Sequence, residues 1–281
     1  VRRGQPSRTA LGAAFHRAAH QVLERGAIFA DPLAVRILAD DADTAIRAAQ
    51  ADPSRRRLRL FIAARSRFAE DALAAAIPRG VSQLVVLGAG LDTFAYRTTL
   101  ADRLLMFEVD HPATQAWKRQ RLAATGIAVP RALRFAPVDF ERETLAEALA
   151  AAGFAPRRPT LFTWLGVVPY LTEPAVLSTL AFIAGLPGGA DVVFDYGNPP
   201  APDDVADDAH ARLAARVAAA GEAFRSLFET GALHARLAAL GFSAIEDLGP
   251  ADIRARWFPG HAGAAPERGG HIVHAMAARR R

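Results

Sequence analysis

A chain of 281 residues that is 51% apolar is long enough to bury a substantial core and too apolar to be disordered. Its net charge of +5 rests on basic residues that are all arginine except Lys118; the densest cluster, Arg55-Arg56-Arg57 with Arg59, opens a helical pattern without interleaved aromatics. That argues against a nucleic-acid partner and leaves a solvated helix face or the steering of an anionic substrate. Without cysteine there is no disulfide framework, thiolate nucleophile or cysteine metal site, and no apolar run approaches the roughly 20 residues that span a bilayer. The N-terminal stretch, with arginines at 2, 3 and 8, lacks the apolar core of a signal peptide, so the expectation is a cytoplasmic protein with no membrane partner.

Apolar periodicity predicts helices over Thr9–Glu24, Pro32–Leu38 and Arg56–Ile77, the last with Leu60, Phe61, Ala64, Phe68 and Leu73 on one side. Residues 1–80 carry no convincing strand and read as a helical cap before a core over 81–281. From there strands are expected at 84–87, 104–109, 133–137, 160–165 and 190–195, alternating with helices at 112–124, 142–152 and 173–185. That alternation demands an α/β fold with a doubly wound, mostly parallel sheet. The end differs: helices near 203–219 and 230–240 precede short strands near 242–248 and 271–277, close enough for an antiparallel hairpin. The proline- and acid-rich stretch 198–208 reads as a loop over a binding site.

The run Leu84-Val85-Val86-Leu87-Gly88-Ala89-Gly90-Leu91-Asp92-Thr93 delivers a buried strand to a glycine turn and a helix start. Two glycines permit positive φ and close backbone approach, and ligands collect at the carboxyl end of such strands. A dinucleotide site would place a third glycine at position 93, where this chain has Thr93, and the Asp92 carboxylate would repel a pyrophosphate. A phosphate-free, cationic ligand such as S-adenosylmethionine suits that mouth better. Asp110 ends the next strand, 20 residues beyond Gly90, the spacing of a carboxylate that accepts both ribose hydroxyls. Alternation sends Glu108 to the same face. The competing reading makes Asp110 a cap for the helix that follows His111-Pro112.

The segments VVLGAGLDTFAYR (85–97), FEVDHP (107–112), PVDF (137–140), WLGVVPYL (164–171) and VFDY (193–196), with FIAARSRFAED (61–71) upstream, resemble in this order the bacterial S-adenosylmethionine-dependent methyltransferases of the leucine carboxyl methyltransferase superfamily. The resemblance runs from about residue 7 to 277 and implies a Rossmann-like class I methyltransferase fold with S-adenosylmethionine as cofactor. The superfamily includes enzymes that esterify a protein C-terminal carboxylate and others that methylate polyketide-type carboxylates. By position, the resemblance implies that Gly88, Ala89 and Gly90, with Asp92 at the mouth of the loop, face the methionine part and that Asp110 binds ribose. It implies further that Asp139 and Phe140 flank adenine and that Arg65 pairs with the cofactor carboxylate, with Arg17 assisting. The competing reading makes Asp139 a cap for a helix from Arg142, and without the resemblance Arg65 reads as a solvated helix residue. Relatives often carry glutamate where this chain has Leu165, so one polar contact to the cofactor is missing here.

Methyl transfer from a sulfonium needs alignment more than acid–base help, and a carboxylate acceptor is already ionised at pH 7. The candidates at the ends of the fourth and fifth strands are Tyr170, Asp195, Tyr196 and Asn198, of which Tyr170 and Tyr196 are the expected catalytic pair. Trp164 and Phe162 read as core. His16, His20 and His111 are scattered, and His271 and His274 bracket a strand without the companions of a metal centre, so no metal is expected. The expected activity is O-methylation of a small, carboxylate-bearing metabolite. N-methylation of a small heterocycle, an NAD(P)-dependent oxidoreductase and an idle cofactor-binding module are the alternatives. Nothing in the sequence identifies a docking surface for a large partner or an oligomeric state.

Overall fold

Five consecutive buried residues, Gln83–Leu87, form β1, the apolar run 84–87 suiting a parallel strand with both faces covered. The computed structural model describes residues 7–139, 143–200, 224–258 and 268–279. The chain divides into two compact units, one ending at Phe154 and the other starting at Ala155.

In the first unit α1 (Arg8–Leu23), capped by the Ser7 side chain, is followed by α2 (Asp41–Ala51) and α3 (Arg56–Ala76). Then come β1, the short α4 (Phe94–Arg97), β2 (Leu105–Asp110), α5 (Pro112–Ala124), β3 (Leu133–Pro137) and α6 (Leu145–Ala151). The strands are parallel in the order β3-β2-β1, with Leu84 beside Met106 and Met106 beside Leu133. The N-terminal helices do not pack as a separate body: Ala14, Ala18, Ile37, Leu38, Ala42 and Ala45 share one core with Leu91, Leu122 and Ile127.

In the second unit β4 (Thr160–Trp164), α7 (Glu173–Ala184) and β5 (Ala190–Gly197) lead to α8 (Thr230–Leu240), β6 (Phe242–Leu248), α9 (Pro250–Trp257) and β7 (Gly270–Ala277). The order is β4-β5-β7-β6, with β4 and β5 parallel and β7 antiparallel to both its neighbours. The doubly wound arrangement with an antiparallel C-terminal pair is therefore the one expected.

Three local expectations change. Pro32–Leu38 is not an α-helix but ends in a 3-10 turn at Arg36–Leu38, because Asp31 Oδ1 caps Leu33 and Ala39 turns to φ 50°. Helix α2 had no expectation; its polar surface hides a buried Ala42-Ala45-Ala49 stripe at helical spacing. The β6 and β7 strands pair as expected, yet α9 lies between them in the chain, so they are not a simple hairpin. The expected helix at 203–219, and the 198–208 loop beyond Pro200, fall outside the described residues.

Because Leu38 is fully buried in the core that the helical layer shares with Leu91 and Leu122, Leu38→Ala is expected to lower unfolding free energy by about 2–5 kcal/mol in urea titrations. A loss below about 0.5 kcal/mol would show that this layer adds little to the core.

Candidate functional site

The turn after β1 is held from several sides. Gly88 and Gly90 adopt φ 64° and 43°, and a Cβ on Gly90 would lie 2.8 Å from the Ala10 Cβ of α1, so only glycine lets that helix approach the loop. Ala89 N–H reaches back to the Val109 carbonyl of β2 at 3.1 Å, and Asp92 N–H closes onto Ala89 O at 2.7 Å. Gly88 is exposed and Ala89 and Gly90 are buried, which leaves bare backbone at the mouth of the turn.

Asp110 is the anchor. Its Oδ2 accepts the Gly90 N–H at 2.6 Å and its Oδ1 the His111 N–H at 2.7 Å. It does not cap α5, since that role is taken by His111, whose Nδ1 accepts from Ala113 N–H at 3.2 Å. Burial pushes the Asp110 carboxyl above its ordinary range, against the pull of those two N–H groups and of Lys118. A half-exposed carboxylate tied to the glycine loop by one oxygen keeps lone pairs for a vicinal diol.

Asp92 is half-buried and its Oδ1 accepts from Phe94 N–H at 2.8 Å, starting α4. Thr93, where a dinucleotide site would have glycine, is buried and donates its hydroxyl to Asp31 Oδ2 at 2.7 Å. Asp31, which the sequence did not single out, also pairs with Arg17 Nε at 3.5 Å and Arg97 Nε at 3.4 Å. The Arg17 guanidinium further donates to the Leu91 carbonyl. These contacts brace the loop from α1.

Arg65 is buried on α3, with its guanidinium 6.0 Å from the Phe61 ring centroid. The expectation of a solvated helix residue is therefore not met. Asp139 follows β3, and its backbone N–H donates to Glu143 Oε2 at 3.2 Å. The next helix begins only at Leu145 and is capped by Thr144, so Asp139 is not its cap. Phe140 lies outside the described residues.

The second unit repeats the acid-to-glycine device, for Asp195 at the end of β5 accepts the Gly166 N–H at 2.6 Å, and Gly166 sits at φ 71° after β4. Leu165, beside it, is half-buried. Tyr170 ends the turn Val168–Tyr170, half-buried, with the Phe224 ring 5.6 Å away. Residues 225 and 226 hold that turn: Arg225 N–H donates to Pro169 O at 2.7 Å and the Ser226 hydroxyl to Val168 O at 2.9 Å. Trp164 and Phe162 are core, as expected.

Tyr196 differs from the expectation of a catalytic phenol. It is 2% exposed, its hydroxyl donates to Asp247 Oδ2 at 2.8 Å, and Thr230 Oγ1 lies 2.9 Å away. Burial, followed by Asp247, raises its pKa well above the usual range. A phenol so held supports the end of β5 and does not serve as a base near neutral pH. Asp247 also takes His234 Nε2 and His271 Nδ1, each at 2.8 Å, while His271 Nε2 reaches Asn198 Oδ1 at 2.8 Å. Asn198 in turn donates to Phe228 O and Thr230 Oγ1, both at 3.1 Å, so its amide is spent on the scaffold. The two strand histidines thus have carboxylate partners, His274 with Asp191 at 3.2 Å, although no group of three or more His, Cys, Asp or Glu side chains among the described residues is arranged to hold a metal ion. No helix among them is long and apolar enough to cross a membrane.

Burial pushes the Asp247 carboxyl up, but its hydrogen bonds from His271, Tyr196 and His234 outweigh burial and hold it below the ordinary carboxylate range. A depressed acid stabilises the fold above its unfolded pKa, about 4, and loses that effect as pH falls through the folded value. Asp247→Asn is therefore expected to lower the unfolding temperature at pH 7, with the gap to the parent closing below about pH 4. A gap of equal size at pH 3 would contradict this.

Comparison with known proteins follows the same lines. The family model for leucine carboxyl methyltransferase matches residues 10–184. The chain is 34% identical over 203 residues to "Putative S-adenosyl-L-methionine-dependent methyltransferase YktD" of Bacillus subtilis (strain 168), covering 69% of this chain and 65% of that protein. A relative from Mycolicibacterium paratuberculosis bearing the same description is 37% identical over 145 residues, 51% of this chain and 48% of its own length. The chain thus spans less than two thirds of the length of either relative. Among solved structures, the CurJ carbon methyltransferase superposes with TM-score 0.52 at 15% identity, over 96% of this chain and 67% of that one. A duf574 family protein from Streptomyces avermitilis gives 0.54 at 16%, over 94% and 97%. These two likenesses show the fold, that of class I methyltransferases.

Proposed function

The chain belongs to the leucine carboxyl methyltransferase family, and we propose that it is an S-adenosylmethionine-dependent methyltransferase acting on a small acceptor, with O-methylation of a carboxylate-bearing metabolite as the favoured reaction. The observation that carries the cofactor reading is the Asp110 carboxylate fastened to the Gly90 N–H beside a loop that only glycine can build. The residues present fit a phosphate-free nucleoside. Asp92 and Asp110 flank the turn where a dinucleotide would bring pyrophosphate, and Thr93 is committed to Asp31.

When bound, the cofactor supplies a methyl carbon activated by a sulfonium, so the protein's task is alignment and exclusion of water. Asp110 accepts the ribose hydroxyls with the lone pairs left by Gly90 and His111. Gly88, Ala89 and Gly90 present bare backbone to the methionine part, and Asp92 offers a carboxylate to its cationic end. Arg65, buried on α3, clamps the cofactor carboxylate in the bidentate manner of a guanidinium. Asp139 and Phe140 border the adenine. Arg17 contributes indirectly, by pinning Leu91 and Asp31. Tyr170, the half-exposed one of the two tyrosines, orients the acceptor, whose ionised carboxylate needs no base. The O-methyl reading rests on this chemistry and on the family's known carboxylate acceptors.

Thermal unfolding in the presence of S-adenosylmethionine, S-adenosylhomocysteine and NADH tests the reading directly. At about 100 times the dissociation constant, binding adds roughly 2.7 kcal/mol, a rise of a few degrees for a chain of this size. The two sulfur nucleosides are expected to raise the transition and NADH to leave it in place. By calorimetry, Asp110→Ala and Arg65→Ala are each expected to weaken S-adenosylhomocysteine binding roughly ten- to a hundredfold. A shift with NADH alone, or unchanged affinity in both variants, would overturn the assignment.

A further inference from the structure

Lys118 is the only lysine in a chain otherwise basic through arginine, and it is buried to 1% exposure on α5. Its Nζ lies 2.8 Å from Glu108 Oε2, itself 1% exposed, and 5.2 Å from the Tyr96 ring centroid. The Tyr96 hydroxyl donates to the same Glu108 oxygen at 3.0 Å, and Gln115 Nε2 fixes the Glu108 carbonyl at 3.0 Å. Glu108 Oε1 is buried with no hydrogen-bond partner, and Lys118 Nζ meets Glu108 Oε2 as an ion pair outside hydrogen-bond geometry. Glu108 and Asp110 share one face of β2, two residues apart, or about 6.6 Å along the strand.

Two carboxylates this close, Glu108 buried and Asp110 half-exposed, raise one another's cost of ionisation unless a cation lies nearby. The groups facing Asp110 and Glu108 are Asp92 after β1, Tyr96 on α4, His111 before α5, and Lys118 and Arg119 on α5. Arg119 stands over the Phe135 ring at 5.1 Å, and the His111 Nδ1 is already an acceptor for Ala113 N–H. The ammonium of Lys118 is the cation in contact with Glu108.

We propose that Lys118 is the electrostatic positioning residue of the nucleoside site: its buried ammonium, locked between Glu108 and the Tyr96 ring, keeps Asp110 an ionised acceptor for a ribose diol. The inference rests on Asp110 being the ribose-binding residue of the proposed function. Both Asp110 oxygens already accept backbone N–H groups, and a proton added there would compete with the ribose hydroxyls for the remaining lone pairs. Burial drives Glu108 up to about 7 against the pull of Lys118, and Lys118 also opposes the upward push on Asp110. By its charge alone, an ionised Glu108 on the same face of β2 would act on Asp110 in the opposite sense to Lys118.

That opposition supplies the test. The Asp110 carboxyl is followed by 13C NMR across pH in the full chain, assigned by its loss in Asp110→Asn, and S-adenosylhomocysteine affinity is measured by calorimetry over the same range. The nucleoside's own groups titrate identically in every variant. Lys118→Met is expected to raise the Asp110 midpoint by about one pH unit and to cost up to about tenfold in affinity below both midpoints. Glu108→Gln, which removes the negative neighbour and leaves the ammonium, is expected to lower the midpoint and to hold affinity to more acid pH. A merely structural ion pair would weaken the unliganded fold in both variants and leave the Asp110 midpoint unmoved, which overturns the inference. If Lys118→Met does not fold, Glu108→Gln decides alone: an unchanged or raised midpoint overturns the proposal. Absence of nucleoside binding to the parent chain would instead overturn the cofactor reading, and the midpoint shifts would still report on Lys118.

Discussion

The 2.6 Å bond from Gly90 N–H to the Asp110 carboxylate is the constraint from which the glycine loop after β1 follows. A loop that must expose backbone to a ligand has no side chains of its own to hold it, and bare glycines cost conformational entropy to order. The solution here is to tie the loop from outside. Asp110 fixes it from β2, the Leu91 carbonyl is fixed from α1 by Arg17, and Thr93 is fixed by Asp31. Each tie uses a charged partner, and charge-assisted hydrogen bonds are the ones strong enough to offset that entropy. The same logic recurs after β4, where Asp195 holds the Gly166 N–H.

Such ties require buried charge, and buried charge must be balanced. Asp31 is balanced by two arginines, Arg17 and Arg97, and Arg97 also grips Glu70 and stands 5.0 Å from the Phe29 ring. At Glu108 the chain uses lysine instead. A guanidinium presents a wide planar fork that needs several acceptors, whereas an ammonium is a compact charge that fits between one carboxylate and one aromatic face. Replacing such a pair with apolar residues is often neutral or favourable for stability, so its presence beside the loop argues for a role in the site.

The strands were legible because most are short, largely apolar and buried segments set between helical patterns, and β1 to β5 lie within a residue or two of their expected places. The acids at their ends were legible because position on a parallel strand fixes which end faces the ligand. Helix α2 was not, since its burial rests on alanines too small to mark a face against the charged Asp41, Asp43 and Arg47. The partners of each polar side chain were less legible still. Arg17 and Thr93 were visible as residues, but Asp31, which joins them, is an ordinary acid in a loop until the fold brings it to both. The strand histidines read as lacking companions because Asp247 is 24 residues from His271, and Asp191 lies 83 residues from His274.

Tyr170 and Tyr196 show why position alone does not assign chemistry. Both lie near the carboxyl ends of neighbouring parallel strands, where a substrate group is expected. Tyr196 is the last but one residue of β5 and points its hydroxyl at Asp247, which must be satisfied because it is buried between β7 and α8 side chains; His271 and His234 complete that carboxylate. A phenol that supplies one of three donors to a buried acid is not free to rearrange without exposing that acid to the cost of an unmet hydrogen bond. Tyr170 sits on a turn pinned through its backbone neighbours, Val168 and Pro169, by residues 225 and 226. The scaffold thus pins the main chain beside Tyr170 and the hydroxyl of Tyr196, while the Tyr170 ring packs against Phe224. A half-exposed ring can meet an acceptor where a 2% exposed one cannot, and that difference favours Tyr170 over Tyr196 for the proposed reaction.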